Sequence, residues 1–264
     1  SNVTVDQLTA IPSIVCDSIY TTGIKFKWNS IIGNSGYQVY IDNNLVGTIT
    51  DTIYTATSLT PNSPHSIRVI AINNGPCGNS ESTLQCTTLP CPNINLSINP
   101  ISTFCLYPNT SGFNLSTTVT GGFNNGPLLW SGTGITNAAI GTFDPVVAGA
   151  GAHNITLTYM EQACTYKGVT LINIVPKPSP NFNIAAEICQ DSITRVSYTG
   201  SVEPQSSTYF WIFDGGTPAT SNGQGPHDVA WASPGIKNVQ LIVNNGICAD
   251  TIIKPITVIR RLQK

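Results

Sequence analysis

Apolar and polar positions alternate with a period of two early in the chain, and the pattern recurs along it. Ile24, Phe26 and Trp28 share one parity, Tyr37, Val39 and Ile41 form a second run, and Ile67, Val69 and Ala71 a third. Such runs are strands that bury one face and wet the other. Between them stand Asp42-Asn43-Asn44, Thr60-Pro61-Asn62 and Asn73-Asn74-Gly75-Pro76, whose residue types suit tight reversals. The spacing fits a small sandwich of two antiparallel sheets.

The later part of the chain repeats itself. Gly151-Ala152-His153-Asn154-Ile155-Thr156-Leu157 matches Gly235-Ile236-Lys237-Asn238-Val239-Gln240-Leu241, and each glycine precedes a cysteine, Cys164 or Cys248, by 13 residues. Upstream, Leu129-Trp130 corresponds to Phe210-Trp211. Val175-Pro176-Lys177-Pro178-Ser179-Pro180 separates the copies and reads as a stiff, extended linker. The expectation is an all-β chain of three tandem immunoglobulin-like β-sandwich domains in an extended array, spanning 1–90, 91–177 and 178–264, with one core tryptophan per domain packed near a disulfide.

Composition sharpens this picture. Charged residues are 9% of the 264, which suits strands with polar outer faces better than ion-paired helices. A net charge of -2 gives no field that would gather nucleic acid or anionic lipid. No apolar run approaches the roughly 18 residues of a membrane span. The chain opens at Ser1 without a signal-peptide pattern, so a mature or internal fragment is expected.

Eight cysteines without metal-type spacing point to an oxidising, extracellular setting, secreted or at the cell surface. Cys16 to Cys77 is 61 residues, Cys105 to Cys164 is 59 and Cys189 to Cys248 is 59. These intervals suggest one long bridge per domain, with Cys86 and Cys91 closing a short loop or Cys86 pairing elsewhere in the first domain. His65, His153 and His227 fall one per domain, so neither a zinc site nor a hydrolytic triad is expected, and no cofactor. His153 matches Lys237 in the sister copy, which argues for a solvated position. Asp42, Asp144 and Asp214 lie in loops, but lacking clustered Asp-x-Asp spacing they read as turn residues bonded to their own backbone rather than calcium ligands.

The first domain resembles fibronectin type III over about residues 8–88, through Trp28, the Gly36-Tyr37-Gln38-Val39-Tyr40 strand, and Leu59-Thr60-Pro61 followed by Ile67, Val69 and Ala71. Where that family places a corner tyrosine, this chain has His65. The third domain resembles the PKD (polycystic kidney disease) family through Tyr209-Phe210-Trp211-Ile212-Phe213-Asp214-Gly215-Gly216 and Pro234-Gly235-Ile236-Lys237-Asn238-Val239. The second, with Trp130-Ser131-Gly132-Thr133-Gly134 and Gly141-Thr142-Phe143-Asp144-Pro145, is similar to divergent PKD-like or Ig-like repeats.

Such strings of modules resemble giant adhesins of gliding, type IX-secreting bacteria. That resemblance implies a non-catalytic structural or adhesive stalk whose partners are neighbouring modules and a surface polysaccharide or protein. Asp17-Ser18-Ile19, Asp51-Thr52-Ile53, Asp191-Ser192-Ile193 and Asp250-Thr251-Ile252 resemble the O-glycosylation acceptor pattern of that group, implying sugar at Ser18, Thr52, Ser192 and Thr251. Asn-linked sequons at Asn2, Asn95, Asn109, Asn114 and Asn154 would matter only in a eukaryotic source. Two other roles compete: a spacer or carbohydrate-binding region of a secreted hydrolase, using rings such as Tyr20, Tyr54, Tyr107 and Tyr166, and a filament subunit joined by edge pairing.

Overall fold

The computed structural model describes residues 10–74, 78–201 and 207–262. In chain order the strands are β1 (Ile14–Ile19), β2 (Gly23–Trp28), β3 (Tyr37–Ile41), β4 (Asn44–Ile49), β5 (Ile53–Thr57), β6 (Pro64–Ala71), β7 (Ser80–Thr87), β8 (Ile94–Ile98), β9 (Phe104–Leu106), β10 (Phe113–Asn114), β11 (Thr117–Gly121) and β12 (Leu128–Ser131). They continue as β13 (Ile135–Asn137), β14 (Thr142–Phe143), β15 (Gly151–Glu161), β16 (Cys164–Pro176), β17 (Phe182–Asn183), β18 (Glu187–Cys189), β19 (Ile193–Tyr198), β20 (Thr208–Phe213), β21 (Gly216–Thr217), β22 (Thr220–Asn222), β23 (His227–Trp231), β24 (Gly235–Asn244) and β25 (Ala249–Ile259). Among the described residues the one α-helix is α1 (Pro145–Ala148), a single turn whose N-cap Asp144 accepts from the backbone N–H of Val146 and Val147. The protein is all-β, built from immunoglobulin-like sandwiches. It divides into two compact units, residues 1–97, 118–128 and 158–167 in one, and 98–117, 129–157 and 168–264 in the other.

In the first unit the sheet β1-β2-β5 faces the sheet β4-β3-β6-β7. β5 returns to pair with β2 after β3 and β4 have crossed to the opposite sheet, the crossover of a Greek-key sandwich. The three alternating runs form its inward faces: Ile24, Phe26, Trp28, Tyr37, Val39, Ile67, Val69 and Ala71 are buried in one cluster, and Ile41 packs at its margin. Trp28 meets Tyr37 edge to face at 5.6 Å, and the Tyr37 hydroxyl accepts from the Ile31 N–H at 2.8 Å.

In the second unit the sheet β17-β19-β23-β21 faces β18-β25-β24-β20-β22. Trp211, Phe213, Trp231, Val239, Leu241 and Val243 form the centre of its core. Both indole N–H groups are satisfied inside it, Trp211 by Gly223 O and Trp231 by Asp214 O, each at 2.9 Å, which removes the cost of burying a polar ring edge. Trp231 is a core residue with no counterpart in the repeat alignment.

The sequence repeat is a structural one. β15 and β24 start at Gly151 and Gly235, with φ of 134° and 122°, a region that favours glycine. Both strands then alternate in step, with Ile155 and Leu157 buried in one and Val239 and Leu241 in the other. Trp130 and Trp211 point inward while Leu129 and Phe210 beside them are exposed. β12 and β15 belong to the sheet β12-β15-β16-β9, and β10-β14-β13 and β8-β11 form the remaining sheets.

Replacing a fully buried ring leaves a cavity that rigid sheets close poorly. Trp211→Ala is expected to lower unfolding stability by about 4 kcal/mol, against under about 1 kcal/mol for Phe210→Ala next to it. Thermal and urea unfolding of the two variants checks this, and equal losses would contradict the assigned inward face.

Candidate functional site

The chemistry of this chain is concentrated in its cysteines, and their pairing differs from the one the intervals suggest. The bridges are Cys16–Cys86, Cys91–Cys164 and Cys105–Cys248, with Cα separations of 6.4, 5.9 and 5.2 Å. Cys189 is a free, exposed thiol, and Cys77 lies outside the described residues. The expected pairs Cys16–Cys77, Cys86–Cys91, Cys105–Cys164 and Cys189–Cys248 are therefore corrected.

Register explains why. Cys189 lies in β18, parallel to β25 and opposite Ile259, whereas Cys248 immediately precedes β25. Eleven residues of extended strand separate those levels, roughly 36 Å at strand rise, and a disulfide needs Cα atoms within about 7 Å. Likewise Cys105 in β9 lies opposite Val175, eleven residues along β16 from Cys164. The equal intervals record equal positions in repeated folds, not partnership. Cys16 reaches Cys86 because β1 and β7 adjoin and both cysteines pack against the same core. Among the described residues of the last sandwich, Phe182 and Phe213 neighbour Trp211 where a cystine is expected.

Two of the bridges tie the turn before a long final strand to the segment upstream. At the first, Cys164 heads β16 and bonds Cys91, and the Tyr166 hydroxyl donates to Pro92 O at 2.6 Å. Partial burial, with the nearby Glu161 and Tyr159 charges, raises the Tyr166 pKa above its usual value. Glu161 in the same hairpin is buried, and its Oε1 accepts from Phe123 N–H at 2.7 Å. Its Oε2 has no partner among the described residues. Sequence reading missed this carboxylate, because a glutamate beside a turn normally faces water.

At the second, Cys248 bonds Cys105 and its Sγ lies 3.4 Å from Val175 O. Asn245, buried in the same turn, accepts through Oδ1 from the N–H of Ile247 and Cys248 and donates through Nδ2 to Pro176 O at 3.1 Å. Lys177 pairs with Asp250 at 3.0 Å. The β24–β25 turn is thus fixed to β9 by a covalent bond, to the end of β16 by an amide hydrogen bond and to Lys177 just past it by an ion pair.

Other candidate residues are dispersed. His65 is buried and holds the corner where fibronectin-like domains place tyrosine: Nδ1 lies 2.7 Å from Asp42 Oδ2 and Nε2 3.5 Å from Thr60 O. Partial burial opposes ionisation of Asp42, but hydrogen bonds from His65 and Ser66 outweigh it and hold the carboxyl below its usual range. His153 is half-buried rather than solvated, bonding Gly149 O at 2.9 Å and tilting against Phe143. Asp214 Oδ2 accepts weakly from Asn238 N–H at 3.4 Å. Among the described residues no three His, Cys, Asp or Glu gather as metal ligands, and no helix is long and apolar enough to cross a membrane.

Of the four acceptor-pattern hydroxyls, Ser18 lies at a bulge in edge strand β1, Thr52 just before β5, Ser192 just before β19, and Thr251 within β25. Thr251 is exposed and the other three half-buried. Their aspartates have structural work: Asp17 pairs with Lys25, Asp250 with Lys177, and Asp191 donates its N–H to Trp231 O. Tyr20 and Tyr107 are exposed, while Tyr54 and Tyr166 are half-buried.

No protein-family model and no curated protein sequence matches this chain. Several of the solved structures similar to it are multidomain fragments. Extracellular domains three to five of Drosophila OTK are 9% identical, with 96% of this chain and 94% of that chain covered at a TM-score of 0.40. A titin I-band fragment is 10% identical, with 96% and 94% covered and a TM-score of 0.40. An ICAM-5 ectodomain fragment is 10% identical, with 94% and 73% covered and a TM-score of 0.41. The fold assignment itself rests on the strand pairings and shared cores described above.

Because the Asp42 carboxyl ionises more readily folded than unfolded, its stabilising contribution is full above the unfolded value near 3.9 and is lost as pH falls through the lower native value. Between about pH 5 and pH 2 the wild type is expected to lose more stability than Asp42→Asn. Parallel acid-denaturation curves for the two proteins would refute the corner's ionic character.

Proposed function

We propose that this chain is a non-catalytic structural and adhesive segment of a large secreted or cell-surface protein, acting as a disulfide-stapled stalk. The observation that carries this reading is the bridge Cys105–Cys248 between the second and third sandwiches, with Cys91–Cys164 closing the second sandwich from its first residue. Such bonds resist separation of serial sandwiches under load, and they persist in oxidising compartments outside the cell. Domain boundaries near residues 90 and 177 fit this design, since each falls close to a bridge or to the polar contacts around Pro176.

The finer reading is a fibronectin type III-like sandwich followed by two PKD-like ones in a bacterial surface adhesin. It is supported by the residue patterns of Trp28, Trp130 and Trp211 and by their common inward placement. In that setting Ser18, Thr52, Ser192 and Thr251 are sites for O-linked sugar, with Thr251 the most accessible. The partners are the neighbouring modules and a polysaccharide or protein on another surface.

Two measurements test the proposal. Small-angle scattering of the isolated chain is expected to give a radius of gyration well above the roughly 18 Å of one compact globule of this length; a value near 18 Å would count against a stalk. Intact-mass analysis of protein from its native source is expected to exceed the polypeptide mass by whole sugar units, with Thr251→Ala removing part of the excess. A bare polypeptide mass would rule out the glycosylation.

A further inference from the structure

Three features were left without a role by the stalk reading: the orphan Oε2 of Glu161, the exposed thiol of Cys189, and a pocket of about 490 Å³ lined by Gln190, Asp191, Arg260, Arg261 and Leu262. The last two belong together. The repeat keeps an offset of 84 residues at four positions, Cys105 to Cys189, Gly151 to Gly235, Cys164 to Cys248, and Val175 to Ile259, while Trp130 and Trp211 are 81 apart. Register confirms the equivalence, because Cys105 pairs with Val175 in parallel β9 and β16 as Cys189 pairs with Ile259 in parallel β18 and β25.

Cys105 is occupied, and its surroundings show by what. Its partner Cys248 arrives on a turn whose Asn245 donates to Pro176 O and whose Asp250 pairs with Lys177. One repeat further on, Pro176 and Lys177 become Arg260 and Arg261, two residues that line the pocket near Cys189. Arg260, which lines that pocket, is the equivalent of Pro176, whose carbonyl takes the Asn245 hydrogen bond one repeat earlier. A second cation, Arg261, stands where Lys177 takes its carboxylate.

We propose that Cys189 is half of an inter-sandwich disulfide: it bonds a cysteine in the turn before the last strand of a further sandwich of this build. The turn that fits carries an asparagine three residues before its cysteine, to donate to the Arg260 carbonyl, and a carboxylate two residues after, to pair with Arg261. The inference rests on the serial-sandwich reading but not on adhesion. Closing the bond takes two thiols to one disulfide. A protein or small-molecule disulfide, the class of oxidant able to close the three existing bridges, accepts the two electrons and is released as two thiols, by attack of one thiolate and then displacement by the other.

The test is non-reducing proteolysis and mass spectrometry of the full polypeptide from its native source, with alkylation before reduction. Under about one-tenth of Cys189 is expected to alkylate before reduction, and its peptide is expected to be linked to one holding a turn cysteine of another sandwich. An unreduced mass equal to one polypeptide places that sandwich in the same chain; a doubled mass places it in a second chain. Cys189→Ser is expected to abolish the link and leave Cys16–Cys86, Cys91–Cys164 and Cys105–Cys248 intact. Full alkylation of Cys189 without reduction, or its recovery bonded to Cys77 of the same chain, to a small thiol or to a cysteine outside such a turn, overturns the proposal. A cross-linked protein that adheres to nothing would reject the adhesive role and leave this inference standing.

Discussion

A strand in water is stable only when one of its faces is covered, and in this chain the cover is a second sheet. With charged residues at 9% and a single four-residue helix among the described residues, apolar burial between facing sheets supplies the main favourable term. Trp28 with Tyr37, and Trp211 with Phe182 and Phe213, centre the two largest clusters. Each large ring spans the gap between sheets and so fixes both their spacing and the parity of every strand that meets it. A one-residue slip would turn such a face outward, and for this reason register is tightly set throughout.

That constraint ends where the core ends. Among the described residues, polar contacts gather at the strand ends: Tyr166 to Pro92 O, Asn245 to Pro176 O, and Lys177 with Asp250. Each contributes about 1 kcal/mol or less in partly exposed surroundings. The cystines Cys91–Cys164 and Cys105–Cys248 lie at these weak places rather than through the sandwich centres. In the last sandwich the core is completed by a second tryptophan, Trp231, instead of by a bridge. Its nearest cysteines are turned to other uses, Cys248 outward to Cys105 and Cys189 to solvent.

The corner at His65 shows how a fold keeps a bond while changing the residue that makes it. A tyrosine hydroxyl would reach back to the upstream backbone; His65 Nε2 faces Thr60 O, and its other nitrogen meets Asp42 in the β3–β4 turn. Asp42 has a positive φ of 46° there and also accepts from the Ser66 N–H. One carboxylate therefore joins two turns. The arrangement rests on a carboxylate where a tyrosine corner would use a neutral hydroxyl.

The sequence by itself determined the strand faces, the all-β character, the tryptophan cores and the match between the later two segments. These are local properties: period-two burial and turn chemistry act between residues close in the chain, and an identity of spacing survives any three-dimensional arrangement. Only the tertiary structure decided the cystine partners, the burial of Glu161 and His65, the half-burial of His153, and the role of Asp250 beside Lys177. Those depend on which strand ends coincide in space. Cys189 and Cys248 lie at the levels of opposite ends of β25, so an interval of 59 residues that looks like one closed ring joins a free thiol to a cysteine bonded elsewhere.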